Sequence, residues 1–142
     1  MFVLDTNVVS ELRKAAHGRA DPNVTAWAKG RQASELFISV ITLMELEAGV
    51  LAVARRDARQ GDVLRAWLES QVGPAFAGRI LPIDEAVARR CASLHVPDRR
   101  SDRDALIAAT ALVHRMGVVT RNVADFRPTG VELVNPWEPR EA

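Results

Sequence analysis

The sequence predicts an α/β fold, a parallel sheet of four to five strands flanked by helices on both faces. Phe2, Val3 and Leu4 are apolar without polar alternation, as in strands of a parallel sheet buried on both faces. Short apolar runs of this kind then alternate with longer stretches of helical periodicity, and no repeat, low-complexity tract or linker interrupts them. Such alternation favours parallel strands layered by helices. The 142 residues, 48% of them hydrophobic, suffice for one good core, so residues 1–142 are expected to form a single domain.

Each element has its own local reason. Thr6 to Leu12 is expected to be helical after the first strand, and Pro22 opens a second helix through Trp27 towards Gly30. "ELFISV" supplies the second strand. Thr42 to about Arg56 reads as a helix rich in Leu, Met and Ala, and another runs from about Arg59 to Val72, ended by Gly73 and Pro74. "GRILPI" holds a short third strand. Asp84 is placed to cap the helix carrying Val87, Cys91 and Leu94 at helical spacing, with Pro97 marking its end. Asp102 or Ser101 caps the helix "RDALIAATALVHRM", which is expected to stop with Gly117 as the left-handed C-terminal residue. "VVT" is the next strand, Asn122 caps a short helix to Phe126, and "VELV" closes the sheet before "NPWEP".

Composition narrows the chemistry. Lys and Arg total 19 against 18 for Asp and Glu, a net charge of +1. No bulk field therefore draws polyanions, and any nucleic-acid binding must come from a local patch. Cys91 is the only cysteine, which excludes an internal disulfide and a thiolate-rich metal site. With no basic-then-apolar leader and no run of roughly 18 apolar residues, the expectation is a soluble, cytoplasmic protein without membrane contact.

The three histidines, His17, His95 and His114, lack metal-site spacing and are expected on solvated helix faces. There is no nucleophile elbow or phosphate-binding glycine loop, so the chemistry falls to acids. Asp5 ends the first strand, at the sheet edge where open α/β folds bind ligands, although Asp is equally a good helix N-cap. Glu45 shares a helix face with Ile41, Ala48, Gly49 and Ala52, small residues that a ligand or another backbone can approach closely. Glu47 has apolar neighbours too, at Leu43, Met44, Val50 and Leu51, and periodicity does not separate the two. Asp102 and Asp104 both stand in a helix's first turn, where the macrodipole favours an anion. Asp104 lies on the side of Ile107, Ala108 and Ala111, and Asp102 is the better cap. Asp125, three residues after Asn122, suits a capping-box-like start.

Taken together, "LDTNVVSE", "SVITLMELEAGV", "DALIAATALVH", "VVTRNVADF" and "NPW" resemble the PIN-domain ribonucleases of the VapC and FitB-like toxins of bacterial toxin–antitoxin systems, over nearly the whole chain. "GRILPIDEAVA" resembles a segment of the same toxins, with Asp84 there a cap rather than a ligand. The resemblance implies a PIN domain over residues 1–142 in which clustered acids hold one or two Mg²⁺ ions, or Mn²⁺ in their place, and RNA phosphodiester bonds are hydrolysed. It assigns Asp5, Glu45 and Asp104 as metal ligands and resolves both choices that periodicity leaves open. The fourth position departs from the family pattern: many members carry Asp after the Arg of the last motif, where this chain has Asn122. Asp125, about one turn on, is the nearest substitute. The expected site is thus Asp5, Glu45, Asp104, Asn122 and Asp125.

A tight acid cluster is expected to raise its own pKa values until a cation binds. Thr6 and Asn7 are candidates to orient carboxylates or bound water, and Arg121 to hold a phosphate. The resemblance further implies an antitoxin that wraps the protein and a homodimer. Val8, Val9, Leu12 and Trp27 would serve such contacts or the core. Two other readings use the same residues: a degenerate PIN domain that only binds, with Asn122 as the decayed position, and an aspartate-dependent phosphohydrolase of the haloacid-dehalogenase type. The latter usually carries a second Asp two residues after the first, where this chain has Asn7.

Overall fold

Val3 and Leu4 are fully buried, and they belong to different hydrophobic clusters on opposite faces of one sheet. Val118 and Val119 divide in the same way, because successive side chains in a strand point to opposite faces. This is why the first strand shows no polar alternation. The structure, a computed structural model, describes residues 1–139; the last three positions of the expected 1–142 domain lie outside the described residues.

The sheet contains β1 (Phe2–Leu4), β2 (Leu36–Ser39), β3 (Ile80–Leu81), β4 (Gly117–Val119) and β5 (Leu133–Val134), all parallel, in the order β3-β2-β1-β4-β5. The helices are α1 (Thr6–Arg13), α2 (Pro22–Lys29), α3 (Val40–Arg56), α4 (Ala58–Trp67), α5 (Gly73–Ala75), α6 (Glu85–Leu94), α7 (Asp102–Val113) and α8 (Val123–Phe126). From β1 the chain builds outward to β2 and β3, then returns to the other side of β1 with β4. That reversal opens a crevice at the carboxyl ends of β1 and β4, the usual ligand position in such sheets. Val8, Val9, Trp27, Leu46, Leu68 and Val72 cover one face, and Val87, Cys91, Ile107 and Phe126 cover the other. Val8, Val9 and Trp27 are therefore core residues. Leu12 is half-buried in a groove with Trp67 and Phe76.

Several local expectations are corrected. α3 starts at Val40, two residues earlier than the periodicity indicates, because Ser39 accepts the Ile41 N–H and caps it. Gly73 and Pro74 do not end the fourth helix. It passes through a π-helical turn, Leu68–Val72, into α5. Pro74 lies at the start of that last turn, where its missing N–H costs little, and Gly78, at φ 76°, makes the reversal. Gly117 is a strand residue. The left-handed residue after α7 is Arg115, at φ 57°, and glycine at 117 is explained by packing, since a Cβ there would stand 3.3 Å from the Phe2 ring and 3.4 Å from the Glu132 carbonyl oxygen.

Asp84 caps α6 through the Val87 N–H, as expected. Asp102 does not cap α7: it is the first helical residue, and its carboxylate faces His95 at 3.5 Å and Arg99 at 3.6 Å. His95 is accordingly not on a solvated face. It ends α6, and its Nδ1 accepts the Arg100 backbone N–H at 3.0 Å. His17 and His114 are exposed, as expected.

α3 and α4 form a tight hairpin in which the position of a Cβ on Gly61 lies 2.5 Å from Ala54 Cβ and 2.6 Å from Ala54 Cα. Gly61→Ala would gain up to about 1 kcal/mol of helix propensity but force the helices apart at about 1–3 kcal/mol. A thermal melt is expected to show a net loss of several degrees. An unchanged or higher melting temperature would mean that the hairpin opens freely.

Candidate active site

Asp5 follows the last residue of β1, and Thr120 follows the last residue of β4. The β1–β4 register pairs Leu4 with Val119, so the residues just beyond are also neighbours. Asp5 N–H donates to the Val119 carbonyl at 2.9 Å, and Thr120 Oγ1 donates to Asp5 Oδ2 at 2.8 Å. Asp5 Oδ1 accepts the Thr6 N–H at 2.8 Å. The cap and site readings of Asp5 therefore coexist: one oxygen serves the start of α1 and the other accepts from Thr120 and Asn7 at the end of β4. Burial pushes the Asp5 carboxyl above the usual range, the Thr120 and Thr6 bonds pull it back, and Glu45 and Asp125 raise it further.

Glu45 arrives from the second turn of α3. Its Oε1 accepts from Thr6 Oγ1 at 2.9 Å, and its Oε2 lies 3.5 Å from Arg103 Nη1. Thr6 Oγ1 also approaches Thr42 Oγ1 at 3.1 Å. Glu47, which the sequence leaves equivalent, points elsewhere and pairs with Arg65. Ala48, Gly49 and Ala52 beyond Glu45 are exposed, and nothing lies within 4 Å of a Cβ on Gly49.

Asp104, in the first turn of α7, is half-buried. Burial raises its carboxyl first, then the charges of Asp5, Asp125 and Glu45. Asp104 is thus brought to the other acids and Asp102 is not. Asn122 occupies the N-cap position of α8 without a side-chain cap bond, and Asp125 does not reach back to cap either. Both side chains are exposed, and only the carboxylate of Asp125 bears charge towards Asp5 and Asp104.

Thr120, which the sequence reading passed over, joins these parts. It is fully buried, donates to Asp5, accepts the Asn122 backbone N–H at 3.0 Å and lies 3.5 Å from Asn7 Nδ2. Its sequence signals are its place within "VVTRNVADF" and, in the structure, one residue past an apolar strand, the same place Asp5 has after β1. Asn7 reaches Asp5 Oδ2 at 3.4 Å and receives the Arg121 N–H at 3.4 Å. The Arg121 guanidinium stacks over Trp137 at 5.3 Å.

The donor set consists of hard carboxylate oxygens, with the Asp5 and Asp104 carboxyls raised by burial and by neighbouring acidic charge, which suits a hard divalent cation. Among the described residues, no three Asp, Glu, His or Cys side chains already stand together as a metal-binding cluster. The carboxylates would have to close in on an ion, as mutual repulsion opposes their approach beforehand.

A parallel sheet with acids from β1, α3, α7 and α8 at its switch point defines a PIN-type α/β architecture. The chain belongs to the PIN domain family, whose model matches residues 2–129. It is 40% identical over 144 residues to VapC ribonuclease Y4jK of Sinorhizobium fredii, covering 98% of this chain and 99% of that one. Toxin FitB of Neisseria gonorrhoeae is 37% identical over 143 residues, covering 96% and 99%. The solved structure of FitAB bound to an IR36 DNA fragment superposes with a TM-score of 0.89 at 34% identity, covering 99% of each chain. Family membership sets aside the haloacid-dehalogenase reading. No helix among the described residues is long and apolar enough to cross a membrane.

Proposed function

We propose that this chain is the toxin of a toxin–antitoxin pair, a cytoplasmic endoribonuclease that hydrolyses RNA phosphodiester bonds with Mg²⁺, for which Mn²⁺ can substitute. The observation that carries this reading is the gathering of acids at the carboxyl ends of β1 and β4, where Glu45 and Asp125 bear charge on Asp5 and all three bear charge on Asp104. It is supported by relatives named as a ribonuclease and a toxin.

Asp5, Glu45 and Asp104 are assigned as metal ligands, with Asn122 and Asp125 at the fourth position. A bound divalent ion would lower the pKa of an attacking water and offset charge on the phosphate. Within this scheme Thr120 and Thr6 orient Asp5 and Glu45, and the Asn122 carboxamide offers a neutral oxygen. Hydrolysis of this kind leaves a 5′-phosphate and a 3′-hydroxyl. The antitoxin assignment follows the FitAB neighbour. A second copy of the chain is assigned to the exposed side of α3, where Met44 and Leu51 are 46% and 58% exposed, apolar surface of the kind found at interfaces.

The test is incubation of antitoxin-free protein with a pool of short RNAs in Mg²⁺, Mn²⁺ or EDTA, with Asp104→Asn in parallel. Metal-dependent products bearing 5′-phosphates that fall on the order of 10³-fold in the variant are expected, the scale of losing a preorganised electrostatic contact. Failure in every metal, with no metal-induced thermal stabilisation, would instead leave a PIN domain that only binds. Asn122→Asp adds the missing charge. Calorimetric titration is expected to show Mg²⁺ binding roughly tenfold tighter, on the order of 1.4 kcal/mol; unchanged affinity would place position 122 outside the ion's reach.

A further inference from the structure

Beside the acids lies a cavity of about 290 Å³, bordered by Asp104 and Asp125 and by Arg99 and Arg100. A water's share of liquid volume is about 30 Å³, so the space is roomy enough for a sugar-phosphate unit. Its two arginines differ. Arg99 is 81% exposed, and its Nη2 lies 3.6 Å from Asp102. Arg100 is half-buried and held at both ends: its Nε donates to the Leu94 carbonyl at 2.9 Å and its backbone N–H to His95 Nδ1 at 3.0 Å. Among the described residues Nε is the only atom of that guanidinium hydrogen-bonded to protein. Arg103, by comparison, is engaged with Glu45.

A guanidinium fixed through Nε presents its two Nη groups as a preorganised fork, the geometry that matches phosphate oxygens. Asp104 and Asp125 border the same cavity and repel an anion, so a phosphate there needs a cationic partner, which Arg100 supplies. Because the net charge is only +1, contacts to a polyanion must be local ones such as this. We propose that Arg100 binds a phosphodiester of the substrate RNA next to the scissile one, in the cavity it shares with Asp104 and Asp125. This rests on the ribonuclease reading and adds a substrate-holding residue to it.

The test measures binding of a fluorescent single-stranded RNA by anisotropy across a salt series, in Mg²⁺, on the Asp104→Asn background. Adding Arg100→Ala is expected to weaken binding about tenfold and make the slope of log K against log salt shallower by about 0.7, the value for one phosphate contact on a single strand. Arg100→Lys is expected to keep the slope while losing part of the affinity, since it retains the charge but not the fork. Equal slopes in all three proteins would overturn the proposal, as would a loss of affinity with unchanged slope in both variants, which signals damage to the loop. The unmodified protein separates the two ideas. If it cuts RNA while Arg100→Ala leaves the slope unchanged, the phosphate contact is wrong and the nuclease stands. If it never cuts RNA but the slope falls as expected, the nuclease is wrong and the contact stands. RNA binding by neither protein would remove both.

Discussion

Without metal, Asp104→Asn is expected to be more heat-stable than the unmodified protein at pH 7, and to lose the stabilisation that Mg²⁺ or Mn²⁺ confers. Burial and the charges of Asp5, Asp125 and Glu45 hold the Asp104 carboxyl above its usual range. A carboxyl raised on folding binds its proton more tightly in the native state, so its stabilising contribution is present below the unfolded pKa and lost as pH rises through the higher native one. At pH 7 the ionised group therefore works against the fold. Asparagine has the same shape without the charge. The expected gain in melting temperature is small, since Asp104 is only half-buried and solvent screens part of the repulsion. Melts between pH 4 and 8 should show the two proteins converging at the acid end and separating as pH rises. A variant less stable than the parent at every pH would refute the repulsive cluster. Metal should reverse the order: at 100 times Kd a ligand adds about 2.7 kcal/mol, and only the parent should respond in full.

Thr120→Val is expected to cost about 2–3 kcal/mol, because one deletion removes two hydrogen bonds. Asp5 Oδ2 loses a 2.8 Å donor, and the Asn122 N–H loses its acceptor. The site is fully buried at Thr120, so water does not readily replace the hydroxyl, and an unmade buried bond costs about 1–3 kcal/mol. Chemical denaturation would read the loss directly. Metal affinity should fall by about 10–100-fold, as when a group orienting a ligand is removed. Thr120→Ser, which retains the hydroxyl, should recover most of both. If Val is tolerated while Ser is not, the role of residue 120 is packing and not orientation of Asp5.

The order of strands and helices, the burial of β1 on both faces, the cap at Asp84 and the place of Asp5 at a strand end are all legible along the chain, because each depends on neighbours within a few residues. Periodicity and capping are local. The choices between Glu45 and Glu47 and between Asp102 and Asp104 were open to local rules, since both members of each pair share a helix and similar neighbours; motif resemblance resolved them, and the contacts give the physical reason. Glu47 finds Arg65 across the α3–α4 hairpin, Asp102 finds His95 across the α6–α7 loop, and Glu45 meets Thr6. Those partners lie 18, 7 and 39 residues away, each on a different element.

The same distinction explains the errors. Gly117 looks like a helix terminator by type, yet its small size is required by Phe2, which pairs beside it from the other end of the chain. His95 looks solvated by pattern, but a loop folds back to donate a backbone N–H to it. Thr120 lies within "VVTRNVADF" but is given no role there. What the sequence by itself determined is the succession of elements and the placement of Asp5 at a strand end; the tertiary structure alone decided that the Thr120 hydroxyl reaches Asp5, because parallel strand register sets residues 5 and 120 side by side and no local periodicity encodes that register.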